Sequence, residues 1–191
     1  MIKKLWNFIW NDDSLLSWIV NVILAFILVK FIIYPTLAFL LGTSFPVVAV
    51  VSCSMEHNAE LGTCSFNNHL NFDKWWKNQE KLYSELAISK NDFLNYDFLN
   101  GFNKGDLMVL RKAKNIKKGD VIVFFGNRNI PIIHRVVNEG YITKGDNNPG
   151  SRNDEINIGN ERLIGKAWFR VPYLGWLKVW FNELFLKAQE F

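Results

Sequence analysis

Residues Leu15 to Leu41 are almost continuous apolar sequence, and no other stretch constrains the chain so tightly. Roughly 20 helical residues cross a bilayer core, so this run can span one with tilt, or with a kink at Pro35. Asn21, Lys30 and Pro35 interrupt it, and Lys30 is costly at mid-depth unless it snorkels or faces protein. A cleaved leader fits poorly, because its apolar core runs only about 7–15 residues and no Ala-x-Ala site follows here. Trp6, Trp10 and Trp18 suit an interfacial belt. Lys3 and Lys4 precede the run and no basic residue follows until Lys74, which places the N-terminus in the cytoplasm. Residues 1–14 are then a cytoplasmic N-terminus, 15–41 a transmembrane anchor, and the remainder extracytoplasmic at a cell membrane.

The 191 residues leave room for one domain with a core, plus the anchor and an insertion. The net charge is +4, and no basic run alternates with aromatics as a nucleic-acid groove requires, so nucleic acid is not an expected partner. A small positive surplus and eight tryptophans suit a protein lying against a lipid bilayer.

Beyond the anchor, Val47-Val48-Ala49-Val50-Val51 reads as a buried strand running into a small-polar turn that presents Ser54. A serine attacks well only when a base within hydrogen-bond reach takes its proton. Two later stretches offer one: Ile132-Ile133-His134-Arg135-Val136-Val137 and Ile142-Thr143-Lys144-Gly145-Asp146-Asn147-Asn148. Between them, Asn138-Glu139-Gly140 marks a hairpin. Leu107–Leu110 and Val121–Phe125 are further strand-like runs, so a compact, mostly antiparallel β domain is expected over 44–175. A helical insertion at about 58–102 interrupts it. There Phe72, Trp75, Trp76, Gln79, Leu82, Tyr83 and Leu86 share one helical face, and Phe93 to Leu99 suggests a second short helix. That insertion reads as a helical cap on the domain, or as a lid or membrane-surface element beside the cleft. Residues 176–191 read as an interfacial amphipathic helix, with Leu177, Trp180, Phe181, Leu184 and Phe185 on one face.

The motif blocks, in this order, resemble type I signal peptidases of the archaeal and endoplasmic-reticulum kind. Those carry a Ser-Gly-Ser-Met-Glu-Pro motif, a Gly-Asp strand block, a His-Arg strand and a Lys-Gly-Asp-Asn loop. Here the blocks stand as Ser52-Cys53-Ser54-Met55-Glu56-His57, Lys104-Gly105-Asp106, His134-Arg135 and Lys144-Gly145-Asp146-Asn147-Asn148. The likeness covers residues 45–57 and 103–175, roughly half the chain. Cys53 stands where the family has glycine and His57 where it has proline. If that glycine serves a positive φ, Cys53 bears strain or the turn differs.

The resemblance implies a membrane-anchored serine endopeptidase with a signal-peptidase-like β fold, cutting signal peptides from secreted preproteins after small residues. Such preproteins, and the Sec translocase that delivers them, are the implied partners. Ser54 would be the nucleophile and His134 the base, with Asp146 and Asp154 as orienting acids. Asp146 matches by motif and Asp154 only by spacing. The Ser54 backbone N–H and the Ser52 hydroxyl would form the oxyanion hole, and Val50 and Ile132 would line the substrate pocket. Lys144 as the base, or Cys53 as the nucleophile, are the competing assignments within the same blocks. A self-cleaving Ser–Lys regulatory peptidase and a non-catalytic membrane scaffold are the alternative functions. Cys53 and Cys64 lie where a disulfide is permitted, yet a free, half-buried Cys53 is expected. With His57 and His69 they lack the close-spaced pair of a zinc site, so no metal or cofactor is expected.

Overall fold

The computed structural model describes residues 2–64, 70–127 and 129–180, and the chain divides into two compact units, Met1–Gly42 and Thr43–Phe191. In the first, α1 (Ile2–Trp10) precedes a long helical rod. The rod consists of α2 (Leu15–Leu28), a π-helical turn at Val29–Ile33 and α3 (Tyr34–Leu41). Ser14 caps α2 by accepting the Ser17 N–H at 3.2 Å. The Ser17 hydroxyl donates to the Phe8 carbonyl at 2.5 Å and the Asn21 amide to Ile9 at 2.8 Å, which ties α1 to α2.

Pro35 has no N–H, and in a regular helix its ring would meet the carbonyl four residues back. The π-helical turn just before it widens the backbone, with the Tyr34 N–H reaching Val29, and so accommodates the ring. Gly42, at φ 65°, closes the rod in the left-handed conformation. Leu15, Trp18, Phe26, Phe31 and Phe39 are all exposed along it. It is the one helix among the described residues long and apolar enough to cross a membrane.

The second unit is built on a six-stranded sheet, antiparallel throughout, in the order β1-β2-β6-β3-β4-β5. The strands are β1 (Val47–Ala49), β2 (Leu107–Arg111), β3 (Val121–Phe125), β4 (Pro131–Asn138), β5 (Ile142–Lys144) and β6 (Leu163–Val171). Val121 to Phe124 are all buried because β3 has a core on each face. Met55, Phe102, Met108 and Leu110 lie on one side, and Val136 and Ile158 on the other. An inner strand covered on both faces loses the alternation that marks a half-exposed one.

β6 is the strand that the sequence reading missed, although it lies between β2 and β3. Gly165 and Lys166 interrupt its apolar pattern. Both have reasons in the fold: a Cβ at Gly165 would stand 3.0 Å from the Arg111 carbonyl, and Lys166 pairs with the buried Asp120 of the adjoining turn at 2.6 Å. Opposite β2 the register slips, so that Phe169 faces Val109 and Ala167 faces Leu110. The extra residue, Trp168, is a bulge that leaves both it and Phe169 exposed.

The insertion forms α4 (Phe72–Glu85) and α5 (Lys90–Leu94). The expected face of α4 is buried: Phe72, Trp75, Trp76 and Tyr83 pack with Phe93 and Ile88 and reach Val137 on β4. α5 begins at Lys90 rather than Phe93, because Ser89 and Asp92 form a reciprocal capping box. Asn95 ends it, leaving Tyr96 to Leu99 in turns. Of the expected C-terminal helix, residues 176–180 are helical, and 181–191, with Phe181, Leu184 and Phe185, lie outside the described residues. Val179 is buried, whereas Leu177 and Trp180 are exposed.

The Lys166–Asp120 pair is nearly buried on both sides, so Lys166→Met leaves an uncompensated carboxylate beside the central strand. We expect a loss of about 3–5 kcal/mol in denaturant unfolding of the detergent-solubilised chain. An unchanged midpoint would show that the pair is not a buried ionic contact.

Candidate active site

Val50 follows β1 and is clamped by the Lys104-Gly105-Asp106 block. Its N–H donates to the Asp106 carbonyl at 2.8 Å, and its carbonyl accepts the Gly105 N–H at 2.9 Å. Gly105 takes φ 88° and a Cβ there would collide with the Trp176 indole, so this position requires glycine. Val50 itself points into the core at 2% exposure. It therefore does not line the pocket as expected. Its neighbours Ala49 and Val51 do, because successive side chains of extended backbone face opposite ways.

The chain then turns through Ser52, Cys53 and Ser54. Cys53 is disulfide-bonded to Cys64, which corrects the expectation of a free thiol. The bridge forms because the segment after His57 folds back over the turn. Asn147 holds the two together, its amide donating to the Cys53 carbonyl at 3.0 Å and to the Thr63 carbonyl at 2.8 Å. Cys53 is not among the residues at positive φ, so replacing the family's glycine imposes no left-handed strain.

Ser54 Oγ lies 2.9 Å from Nε2 of His134 on β4, and 3.2 Å from Ser52 Oγ. Among the described residues the Ser54 N–H donates to no protein acceptor, so the backbone donor and the Ser52 hydroxyl are both available at the turn. Gly145 passes directly beside this pair. A Cβ on it would stand 2.9 Å from His134 Nε2 and 2.7 Å from the Ser54 carbonyl.

The other ring nitrogen of His134, Nδ1, meets the Glu155 carboxylate. A carboxylate only accepts, so Nδ1–H donates and Nε2 is left to accept from Ser54. Glu155 is fully buried, and its second oxygen accepts the Arg152 N–H at 2.8 Å. Sequence reasoning missed Glu155 by one position. It ends a 3₁₀ turn over Asn153–Glu155, in which adjacent side chains diverge by about 120°. Asp154 is therefore turned outward to Arg152, at 3.0 Å, and does not contact His134. Burial alone would push the Asp154 carboxyl up, but the hydrogen bond and charge of Arg152 hold it below the usual carboxylate range. The acidic pair Asp154-Glu155 was visible in sequence, but which member turns inward was not.

Asp146 does not reach His134 either. Its carboxylate accepts from Arg135 Nε (2.9 Å) and Nη2 (2.8 Å), from Tyr83 at 2.8 Å and from His57 Nε2 at 3.3 Å. Arg135 also donates to the carbonyls of Asp97, Gly119 and Phe98. His57 stacks on Trp75 with ring centroids 3.7 Å apart, so the histidine in the family's proline position joins the insertion to this ion pair. Burial pushes the His57 imidazole below its ordinary range, with Asp146 only partly opposing that. Lys144 Nζ donates to the carbonyls of Gly145 (3.0 Å) and Asp146 (3.4 Å) and lies over the Tyr83 ring. Burial lowers its pKa to about 8, but it makes no contact with Ser54.

Ser52, Ser54 and His134 open onto a cleft of about 740 Å³. Ala49, Val51, Ile130 and Ile132 supply apolar wall, and Asn148, Arg152 and Asp154 a polar margin. Ile132 is thus where it was expected. Among the described residues, none of 58–102 lines this cleft, and α4 packs on Val137 of β4. No cluster of potential metal ligands occurs among the described residues.

Burial would raise the Asp146 carboxyl, but the charge of Arg135 and the hydrogen bonds from His57 and Arg135 hold it far below the carboxylate range. A carboxyl depressed in the folded state contributes stability that is complete above its unfolded value, near 4, and is lost as pH falls. We expect unfolding free energy to decline progressively below about pH 5, and Asp146→Asn to remove most of that slope while lowering stability at pH 7. Denaturant midpoints measured between pH 3 and 7 test this. Identical slopes in the two proteins would contradict it.

Comparison with curated proteins finds similarity over part of the chain. The signal peptidase complex catalytic subunit SEC11 of Lachancea thermotolerans is 32% identical over 99 residues, 43% of this chain and 59% of that protein. The protein of the same name from Zygosaccharomyces rouxii is 33% identical over 98 residues, 43% of this chain and 59% of its own. That of Plasmodium falciparum is 32% identical over 97 residues, 44% and 53%. This chain thus spans less than two thirds of the length of these relatives. All three are eukaryotic, so they lend no support to the archaeal side of the resemblance. No protein-family model matches the chain. Over somewhat less than half its length, this chain is homologous to catalytic subunits of the signal peptidase complex.

Proposed function

We propose that this chain is a membrane-anchored serine endopeptidase that removes signal peptides from secreted preproteins, cutting after small residues. The observation that carries this is the 2.9 Å contact between Ser54 Oγ and His134 Nε2 at the mouth of the cleft. His134 Nε2 takes the hydroxyl proton as Ser54 Oγ attacks the scissile carbonyl, then passes that proton to the departing amine. Water hydrolyses the resulting acyl-serine, with His134 again as base. The negative charge on the tetrahedral oxygen is met by the Ser54 N–H and the Ser52 hydroxyl, each such donor contributing about 10²–10³ in rate. Glu155 takes the part first assigned to Asp146 and Asp154: it fixes the tautomer that leaves Nε2 free and stabilises the imidazolium. Asp146 acts at a distance by holding Arg135, the neighbour of His134.

The walls at Ala49, Val51 and Ile132 suit small apolar side chains before the scissile bond. The Leu15–Leu41 helix would anchor the enzyme, N-terminus in the cytoplasm, beside the translocase from which preproteins emerge. The exposed aromatics Trp168, Phe169 and Trp180 suit a domain working against headgroups. Lys144 makes no contact with Ser54, which leaves the Ser–Lys alternative without support.

Cleavage of a fluorogenic signal peptide by detergent-solubilised protein tests the assignment. Ser54→Ala should abolish it with the fold intact, and retention of more than a few per cent would end the nucleophile assignment. Glu155→Gln keeps the shape but not the charge, and should lower kcat on the order of 10³–10⁴ with little change in KM. An unaltered kcat would reduce the site to a Ser54–His134 dyad.

A further inference from the structure

The disulfide sits at an unusual place, one residue before the proposed nucleophile. Cys53 is buried at 7% exposure, while Ser52 and Ser54 on either side of it face the cleft. Their hydroxyls stand 3.2 Å apart only because the residue between them points inward. Glycine, the family's residue here, has no side chain with which to enforce that alternation. Cys53 has one, and the bridge attaches it to Cys64.

The far end of the bridge is itself fixed. The Thr63 carbonyl accepts the side-chain amides of Asn58 (2.7 Å) and Asn147 (2.8 Å), and the Gly62 N–H donates to the Asn147 carbonyl at 2.7 Å. Asn147 returns to the turn through its amide on the Cys53 carbonyl and its backbone N–H on the Ser54 carbonyl at 2.8 Å. A closed ring of contacts therefore runs from Cys53 through the disulfide to residues 62–64, across to Asn147 and back to Ser54. Apart from the disulfide, that ring is built of hydrogen bonds, and its members Gly62 and Thr63 are exposed. Cys64 is also exposed, so its sulfur is the one that a reductant reaches.

We propose that the Cys53–Cys64 bridge is a positioning device for Ser54: it holds the Ser52–Cys53–Ser54 turn so that both hydroxyls face the cleft and that of Ser54 stays within reach of His134. The enzyme is then fully competent only with the bridge closed. A dithiol opens it in a balanced exchange. A thiolate attacks Cys64 Sγ and Cys53 leaves as thiolate. The second thiol of the reagent then displaces Cys64, so that two cysteine thiols and a cyclic disulfide result. The inference rests on Ser54 being the attacking residue, and the test separates the two.

Oxidised full-length protein in detergent is compared with protein treated with dithiothreitol and with Cys64→Ala. Displacement by an ångström can cost on the order of 100-fold in rate, so kcat should fall at least about tenfold in both, with KM within about twofold. Amide exchange reads the turn independently of any substrate. The Glu56 N–H, bonded to the Cys53 carbonyl at 3.1 Å, and the Asn147 N–H should exchange faster, while the amides of β3 keep their protection. Unchanged kcat with unchanged Glu56 exchange overturns the proposal. So does faster exchange throughout the sheet, which would make the bridge a general staple. If the oxidised protein shows no Ser54-dependent cleavage, the peptidase reading fails, and the exchange rates still decide whether the bridge holds the turn. Should Cys64→Ala not fold, the dithiol comparison decides alone.

Discussion

The buried pair of Arg135 and Asp146 is the contact on which the domain's organisation depends. Isolated in a dry interior, either charge would be very costly, and the pair is tolerable only because each group is satisfied many times over. All parts of the guanidinium are used, on the Asp146 carboxylate and on the carbonyls of Asp97, Phe98 and Gly119. Phe93 covers its face at 4.6 Å. The carboxylate adds Tyr83 and His57. One ionic contact thus joins β4, the loop after β5, the helical insertion and the segment following the nucleophile turn.

Around that frame the groups of the proposed site are assembled. Ser54 and His134 meet across the cleft, and Glu155 lies behind the imidazole, sealed from water. A buried carboxylate paired to Nδ1 orients the ring and fixes the tautomer that leaves Nε2 facing Ser54. The separation of roles is physical. Asp146 already has its full complement of donors and nothing left for His134. Glu155 accepts the Arg152 N–H with one oxygen and presents the other to His134.

The two departures from the family motif are connected. His57, in place of proline, stacks on Trp75 and donates to Asp146, and so brings the insertion against the site's supporting network. Cys53, in place of glycine, is bridged to Cys64 on the segment that follows. Both substitutions couple the Ser52–Ser54 turn to the chain that follows it, His57 through Trp75 of α4 and Cys53 through Cys64.

The sequence by itself determined the membrane-length helix, the amphipathic face of α4 and five of the six strands, and it singled out Ser54 and His134, which the fold brings to 2.9 Å. The helix, the face and the strands are local signals of periodicity and length, whereas Ser54 and His134 were singled out by the order of separate motif blocks. It did not reveal β6, because Gly165 and Lys166 serve close packing and a buried ion pair that exist only once the strands are assembled. Nor did it separate Asp154 from Glu155, since a single 3₁₀ turn decides which carboxylate faces inward. Asp146 was singled out by its motif and Val50 as a pocket residue, yet their orientation depended on partners distant in sequence. The tertiary structure decided those roles, and the disulfide with them, because direction and proximity are properties of the packed chain rather than of its order.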